Sequence, residues 1–275
     1  MKCKHCAKEF KPKNPVHRLA CGDSTDKETV ERLMAGKKAD CMWTDAPYGL
    51  AYIGKTKNAL TIENDTPEGL PELLRLAFGL ADSIVLREGA AIYAAHPAGA
   101  LHMEFDRSFV ALGWPIRQVL VWVKDSMVLG RSDYHYRHES ILYALKPGGE
   151  RRGRGTDGWH GDNCQTSVFD IPRPKRSEEH PTMKPVALVA AMISNSCSPG
   201  GLVYDPFLGS GTTALAAAQC GMSSAGCEID PKYVAVCIER LSLLGLRATL
   251  QDEETLRLAV PERKKTSRVA AQAAI

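Results

Sequence analysis

The feature that most constrains the fold is a βαβα pattern near the carboxyl end of the chain. Residues 201–204 read as a buried strand that leads into a glycine-containing loop, DPFLGSGTT, at residues 205–213. A helix over 213–220, a strand over 224–229 and a helix over 232–244 follow. Strands that alternate with helices in this way predict a parallel sheet covered on both faces by helices. We therefore predict an α/β fold.

Length and composition allow one large domain in an ordinary globular protein. The chain has 275 residues, of which 44% are hydrophobic and 24% charged, and this excludes fibrous and wholly disordered classes. No apolar run reaches membrane-spanning length, and the amino terminus has no apolar signal core, so we expect a cytoplasmic protein without a membrane partner. Nine scattered cysteines are typical of a reducing compartment. The net charge of +3 is compatible with a polyanionic partner but does not identify one.

Changes in composition along the chain suggest a division into segments. Residues 1–15 form a Lys- and Cys-rich extension, residues 16–250 the main domain, and residues 251–275 a basic tail. Within the main domain, Gly-, Arg- and His-rich residues around 124–180 are predicted to form an insertion for target recognition.

The glycine loop has the features of a ligand site at a helix amino terminus. Free backbone N–H groups and the helix dipole favour polar ligands there, and Gly209 and Gly211 permit close backbone approach. Glu228 closes the next strand, where a carboxylate that binds ribose hydroxyls is expected. The loop lacks the third glycine and the Gly-Lys pair of nucleotide-phosphate sites. The pattern predicts a ligand with a ribose and no phosphate, and the alternative is a tight strand-to-helix turn without a ligand.

The tetrapeptide DAPY at 45–48 follows a strand of buried character, which places it where open α/β sheets bind ligands. An amino group conjugated to a base ring is a poor nucleophile and needs acceptors for its hydrogens. The Asp45 carboxylate and the Ala46 carbonyl can accept them, while Pro47 favours an extended Ala46 and Tyr48 can stack on the base. The alternative is an ordinary β-turn with Pro47 at its first central position.

Six segments in order across residues 16–244 resemble a known family. They are HRLACGDST, DAPY, VLVWVKDSMVLGRSDYHYRHESILYALKPG, HPTMKPVALV, DPFLGSGTT and GCEIDPKYV. Together they resemble the β-class, permuted S-adenosylmethionine-dependent DNA amino methyltransferases of the adenine-N6/cytosine-N4 family. The resemblance implies a circularly permuted, Rossmann-like, seven-stranded methyltransferase sheet that acts on double-stranded DNA, as in restriction-modification. A homodimer is expected by analogy alone.

The resemblance also implies roles for individual residues. The catalytic tetrapeptide is Asp45, Ala46, Pro47 and Tyr48, with alanine in place of the usual proline. The implied cofactor contacts are Asp23, Asp45, Thr182, Lys184, Pro185, Asp205, Phe207, Gly209, Gly211, Thr212 and Glu228. Asp23 would approach the cofactor's adenine, and Thr182, Lys184 and Pro185 its methionine end. Aspartate at the head of the tetrapeptide is more typical of adenine than of cytosine methylases.

Basic residues after the fourth predicted strand are candidates for DNA contacts. The resemblance favours phosphate and base contacts around a flipped nucleotide for Lys124, Arg131, His135, Arg137 and His138. A solvated charged surface is the alternative, and for Arg151, Arg152 and Arg154 the two interpretations are equally weighted. Trp159 and His160 can stack on bases or anchor their own loop, and the sequence leaves that choice open.

Cys3, Cys6, His17 and Cys21 have the composition of a structural zinc site. Against zinc, His17 and Cys21 lie in HRLACGDST, which the resemblance explains without a metal.

Three alternative functions remain open at this point. They are amino methylation of cytosine, methylation of RNA or of a protein amide, and nucleic-acid binding by a catalytically decayed protein. Asparagine at position 45 would favour the protein amide and is absent. Ala46 and the short recognition segment favour the decayed protein.

Overall fold

The computed structural model describes residues 15–49, 66–129, 133–149, 154–156, 158–174 and 183–251. The strands are β1 His17–Cys21, β2 Ala39–Asp45, β3 Leu86–His96, β4 Ile116–Val123, β5 His138–Leu145, β6 Val168–Asp170, β7 Leu202–Asp205, β8 Ser223–Glu228 and β9 Ala248–Leu250. The helices are α1 Lys27–Met34, α2 Leu70–Leu80, α3 His102–Ala111, α4 Val186–Ser196, α5 Thr212–Gln219 and α6 Pro231–Leu243, and α2 continues as a π-helical turn, Ala81–Val85.

All nine strands form one sheet in the order β6-β4-β5-β3-β2-β7-β8-β1-β9. Every neighbouring pair is parallel except those that involve β5, which runs antiparallel to β3 and β4. The carboxyl ends of the parallel strands and the amino end of β5 therefore lie at one edge. The predicted α/β class is confirmed, and the sheet has nine strands rather than seven because β6 and β9, three residues each, extend its two sides.

Helices cover both faces of the sheet. On one face α1, α2 and α3 bury an apolar core that includes an aromatic group of Phe78, Phe109 and Trp114. On the other face α4 and α5 pack over Trp43 of β2, whose indole Nε1 lies 3.4 Å from the Met192 sulfur of α4. Burial of large side chains of this kind contributes about 1.5–3 kcal/mol each. The packing fixes the start of α4 above the end of β2.

The structure divides the predicted recognition insertion into two connections. β5 falls within its range, so residues 124–137 connect β4 to β5 and residues 146–167 connect β5 to β6. The predicted extension at 1–15 and the predicted tail at 251–275 lie outside the described residues, except for residues 15 and 251. Cysteines in the described segments are all free thiols. Within those same segments, no helix is long and apolar enough to cross a membrane.

Candidate active site

The tetrapeptide and the glycine loop leave adjacent strands at the same edge of the sheet. β2 pairs with β7 in parallel, with Met42 opposite Tyr204, so Asp45 and Asp205 end neighbouring strands. β8 lies next to β7 and ends at Glu228, which is opposite Cys21 at the end of β1. Asp23 follows two residues later. Four sequence segments that are far apart along the chain therefore meet at one edge, as the parallel topology requires.

Within the tetrapeptide, the side chain of Ala46 is buried in the core under α2 and α3. The Tyr48 hydroxyl donates a hydrogen bond to Asp45 Oδ1 at 2.9 Å, and its ring packs edge-on against Phe105 with centroids 6.4 Å apart. Burial, reinforced by the Asp45 charge, raises the pKa of Tyr48 well above its ordinary value. Tyr48 therefore remains a neutral donor that orients the Asp45 carboxylate.

Asp45 belongs to a group of two carboxylates and two ammonium groups, Asp45, Lys124, Glu139 and Lys184, here termed the four-charge cluster. Lys184 Nζ donates to both Asp45 oxygens, at 2.7 and 2.6 Å, and lies 3.0 Å from Glu139 Oε2. Lys124 Nζ lies 2.6 Å from the other Glu139 oxygen, Oε1. Each lysine side chain is only 7% exposed, while Asp45 remains 28% exposed. The two lysines are thus shielded from solvent, whereas part of Asp45 is accessible to it.

The charges in this cluster stabilise one another. Burial alone would lower the pKa of Lys184, but Asp45 and Glu139 outweigh burial and raise that pKa well above its usual value. Burial would likewise raise the pKa of Glu139, but Lys184 and Lys124 lower it to about 2. Lys184 and Glu139 are therefore ionised at neutral pH.

One of these positions differs from the sequence prediction. Lys124, predicted to contact DNA phosphates, is buried because it directly follows β4 and faces Glu139 of the neighbouring strand β5. Lys184 binds the Asp45 carboxylate, and its predicted place near the methionine end of a cofactor stays a prediction. Glu139 was not predicted at all, since only the antiparallel entry of β5 brings its carboxylate to this edge.

In the glycine loop, one buried carboxylate, Asp205, and one half-buried carboxylate, Glu228, organise the backbone. Asp205 accepts hydrogen bonds from Thr213 Oγ1 at 2.6 Å and from the Phe207 amide at 3.0 Å. Glu228 accepts from the amides of Gly209 and Asp230, both at 2.8 Å. Burial raises the pKa of Asp205 and of Glu228 to about 7, against the opposing effect of these hydrogen bonds.

The other predicted cofactor residues lie around this loop or at the start of α4. Asp23 accepts a hydrogen bond from the Thr25 amide at 2.8 Å, beside the end of β8. Thr212 is the first residue of α5, and Pro185 is the amino-terminal cap of α4. Thr182 lies outside the described residues.

Gly209 and Gly211 are required for different reasons. Both have a left-handed backbone, with φ of +55° and +87°. A Cβ on Gly211 would lie 2.2 Å from the Cys237 sulfur of α6, whereas no described atom lies within 4 Å of the Cβ position on Gly209. The Cβ position of Gly211 thus faces helix α6, whereas that of Gly209 faces open space at the strand edge, and the ligand contact predicted for both glycines stays a prediction.

The loop between β4 and β5 extends from the same edge as Asp45. Its two sides stay paired beyond the sheet, through Lys124 N–H to the Arg137 carbonyl and Val128 N–H to the Tyr136 carbonyl, both at 2.8 Å. Exposed side chains on it include Met127, Leu129, Tyr134, His135, Tyr136, Arg137 and His138. Arg131 lies outside the described residues, as do Arg151 and Arg152. The loop presents aromatic and basic groups beside the open side of the cluster.

Arg154 and Trp159 lie elsewhere. They line a cavity of about 470 Å³ against the first half of β4, together with Arg117 and Asn195. Because this cavity lies away from the carboxyl edge of the sheet, neither residue adjoins Asp45. The adjacent His160 is hydrogen-bonded through its amide to the Asn195 carbonyl at 2.8 Å.

The geometry of β1 excludes a zinc site that contains both His17 and Cys21. His17 and Cys21 are the first and last residues of this strand, about 13 Å apart at the usual rise per residue, so they cannot bind one ion. His17 is fully buried and its Nδ1 lies 2.9 Å from Ser224 Oγ, and burial lowers its pKa to about 4. Cys3 and Cys6 lie outside the described residues, and the described ones contain no group of metal-binding side chains.

The fold and the arrangement of these strand ends define a doubly wound α/β protein with a ligand site at the carboxyl edge of its sheet. Residues 39–239 match the family model described as DNA methylase, and the chain belongs to that family.

Comparison with individual proteins agrees with this assignment. The chain is 32% identical over 134 residues to the DNA adenine methyltransferase YhdJ of Escherichia coli, across 46% of this chain and 44% of that protein. A structure of the M1.HpyAVI–SAM complex aligns with a TM-score of 0.60 and 20% identity, over 82% of this chain and 100% of that one. The cytosine-N4-specific PvuII DNA methyltransferase aligns with a TM-score of 0.57 and 16% identity, over 83% and 89%. At these identities the structural likeness supports the fold. The chain spans about half the length of the curated relatives it matches.

Proposed function

We propose that this protein transfers a methyl group from S-adenosylmethionine to the exocyclic amino group of adenine in double-stranded DNA. The observation that carries the proposal is the meeting of Asp45 with the Asp205–Thr213 loop on adjacent strands of a DNA methylase fold. A hydrogen-bond acceptor for an amino group and a loop suited to a ribose-containing ligand are thereby within reach of one another.

The loop fits S-adenosylmethionine by the chemistry of its side chains. Glu228 and Asp23 are carboxylates at neighbouring strand ends, suited to ribose hydroxyls and to the adenine amino group, and the backbone at Gly209 is open to close approach. The loop contains no lysine that would pair with a phosphate. Bound S-adenosylmethionine supplies an electrophilic methyl group on a positively charged sulfur.

The tetrapeptide is arranged to activate an amino group. Asp45 accepts two hydrogen bonds from Lys184 and one from Tyr48, which leaves capacity on its exposed side for one amino hydrogen. The Ala46 carbonyl can accept the other, so the nitrogen lone pair is free to attack the methyl carbon. The N–C bond forms as the S–C bond breaks, and the nitrogen then releases one proton.

Ala46 supports an intact rather than a decayed site. Its side chain is 2% exposed and belongs to the apolar core, so packing restrains the backbone at the position where the family resemblance implies proline. The two lysines and two carboxylates beside it are fully paired, and such a buried arrangement would be costly to retain without a use.

Two features favour adenine over cytosine. Aspartate heads the tetrapeptide, and one relative at 32% identity is a DNA adenine methyltransferase.

The experiment that tests the proposal is incubation with labelled S-adenosylmethionine and, in turn, DNA, RNA and protein. Digestion of the DNA and mass analysis of its nucleosides should yield N6-methyladenine. N4-methylcytosine would keep the chemistry and overturn the base, while label in RNA or protein would overturn the substrate. Binding of cofactor and DNA without any transfer would instead indicate a decayed enzyme.

Alanine substitution of the two loop glycines should separate ligand contact from packing. Both variants bear the same left-handed backbone cost of about 1 kcal/mol. Gly209→Ala should remain folded and bind S-adenosylmethionine about tenfold more weakly in calorimetry, because its new methyl group enters the open side of the loop. Gly211→Ala should lose a further 1–3 kcal/mol or so of stability in urea unfolding, because it overlaps Cys237. Equal stability of the two variants would contradict this division.

Tyr134 is expected to stack on DNA, since its side chain is 89% exposed on the loop beside Asp45. Tyr134→Ala should raise the KM for DNA about tenfold, in line with about 1–3 kcal/mol per stacked base, and leave the melting temperature unchanged. Leu243→Ala is the control, because Leu243 is also exposed but lies on α6 at the opposite side of the sheet. An unchanged KM in the tyrosine variant would exclude this contact.

A further inference from the structure

The four-charge cluster brings two positive charges to a place where a further positive charge has to bind. Lys184 lies within 2.7 Å of both oxygens of Asp45. Lys124 contacts Glu139, with its Nζ 2.6 Å from Oε1. If S-adenosylmethionine binds beside Asp45, as the proposed function requires, its sulfonium is a cation next to two buried ammonium groups. Like charges repel each other more strongly when the medium between them is protein rather than water.

Glu139 offsets this repulsion. Its Oε2 is 3.0 Å from Lys184 and its Oε1 is 2.6 Å from Lys124, so a single carboxylate contacts both ammonium groups. With Glu139 ionised, the cluster contains two negative and two positive groups and has no net charge. Without Glu139 the cluster would have a net charge of +1. Lys184 would then keep its contacts with Asp45 and the Tyr48 hydroxyl and lose its second carboxylate.

We propose that Glu139 and Lys124 are positioning residues that set the charge of the cluster: Glu139 offsets the lysines so that a cationic methyl donor can bind beside Asp45, and Lys124 prevents the cluster from becoming negative. Neither residue needs to touch the donor. Glu139 shares Lys184 with Asp45 and adds a second negative charge, which preserves the negative potential that the sulfonium and the developing charge on the target nitrogen both require. Lys124 completes the balance, since Glu139 paired with Lys184 alone would make the cluster negative.

The test compares two ligands that differ in one charge. S-adenosylhomocysteine lacks the methyl group and the sulfonium charge of S-adenosylmethionine, so the ratio of their Kd values reports the potential beside the sulfur. Calorimetry should show that Glu139→Gln weakens S-adenosylmethionine about tenfold relative to S-adenosylhomocysteine. Lys124→Met should shift the ratio in the opposite direction by a similar factor. The double variant Glu139→Gln with Lys124→Met regains neutrality and should return close to the wild-type ratio.

The opposite signs distinguish charge from structural damage, because a distorted site would weaken both ligands alike. If Glu139→Gln fails to fold, Lys124→Met still tests the shift towards S-adenosylmethionine, and the double variant tests the return to the wild-type ratio. An unchanged ratio in the folded variants would overturn this inference and leave the proposed function standing. Failure of the wild-type protein to bind either ligand would overturn the proposed function and this inference with it.

Discussion

Asp45→Ala is expected to lower methyl transfer by at least about a hundredfold at saturating S-adenosylmethionine. Loss of one preorganised acceptor of a transition-state hydrogen bond typically has an effect of this size. Asp45 meets the target amino group as positive charge develops on nitrogen, so its removal should depress turnover more than ground-state binding. Single-turnover assays with labelled donor and DNA would measure the effect directly.

The cluster adds a second, smaller effect to this variant. Removing the Asp45 carboxylate leaves Lys184 with Glu139 at 3.0 Å and the Tyr48 hydroxyl at 3.3 Å, and the cluster acquires a net charge of +1. Affinity for S-adenosylmethionine should therefore fall by about tenfold at most, as in Glu139→Gln. Calorimetry on the same preparation separates this loss from the loss of turnover.

Asp26→Ala provides a matched control, since Asp26 caps α1 through the Thr29 amide at 2.9 Å and lies away from the strand edge. It should lower stability modestly, through loss of the helix cap, and leave turnover unchanged. Wild-type turnover in Asp45→Ala would remove Asp45 from the mechanism, and equal losses in the two aspartate variants would indicate a general effect of stability.

The parts of the site that the sequence predicts are those defined by local pattern. DAPY after a buried strand and DPFLGSGTT before a helix each specify a strand end, and the rules of parallel sheets bring those ends together. Glu228 was predicted for the same reason, since it closes the next strand of the βαβ unit.

Residues whose roles depend on tertiary contacts could not be found this way. Lys124 lies in a basic segment, and its sequence context resembles that of the exposed Arg137. The burial of Lys124 follows from the pairing of β4 with β5, which places Trp122 opposite Glu139 and brings Lys124 to that carboxylate. Gly211 and Gly209 are likewise equivalent in sequence, and only the proximity of Cys237 in α6 separates them.

The same limit applies to the edges of the sheet and to the zinc hypothesis. β6 and β9 are three residues long and have no periodicity of their own, so their pairing with β4 and β1 determines their structure. His17 and Cys21 have suitable chemistry for zinc, but extended backbone between them holds them apart.

Lys184→Met is expected to lower the free energy of unfolding by about 3 kcal/mol at pH 7, because it leaves two carboxylates in the cluster without their shared cation. The pKa of Glu139 is depressed to about 2, so its contribution to stability is fully present above its ordinary value near 4.5 and is lost as the pH falls towards 2. That contribution is roughly 3 kcal/mol in the wild-type protein. Lys184→Met removes one of the two cations that depress this pKa, so less stability remains to be lost in acid.

The free energies of unfolding of the wild-type and Lys184→Met proteins should therefore converge between pH 4.5 and pH 2. Urea unfolding of both proteins at pH 7 and at pH 3 would measure the difference in stability at each pH. Lys27→Met is the matched control, because Lys27 pairs with Glu31 at 3.6 Å on the surface of α1 with its side chain 69% exposed. Its effect should stay below about 0.5 kcal/mol at either pH, as is usual for exposed pairs within a helix. A gap for Lys184→Met that is as small as that of the control at pH 7, or one that widens in acid, would show that Lys184 does not hold Glu139 in its charged form.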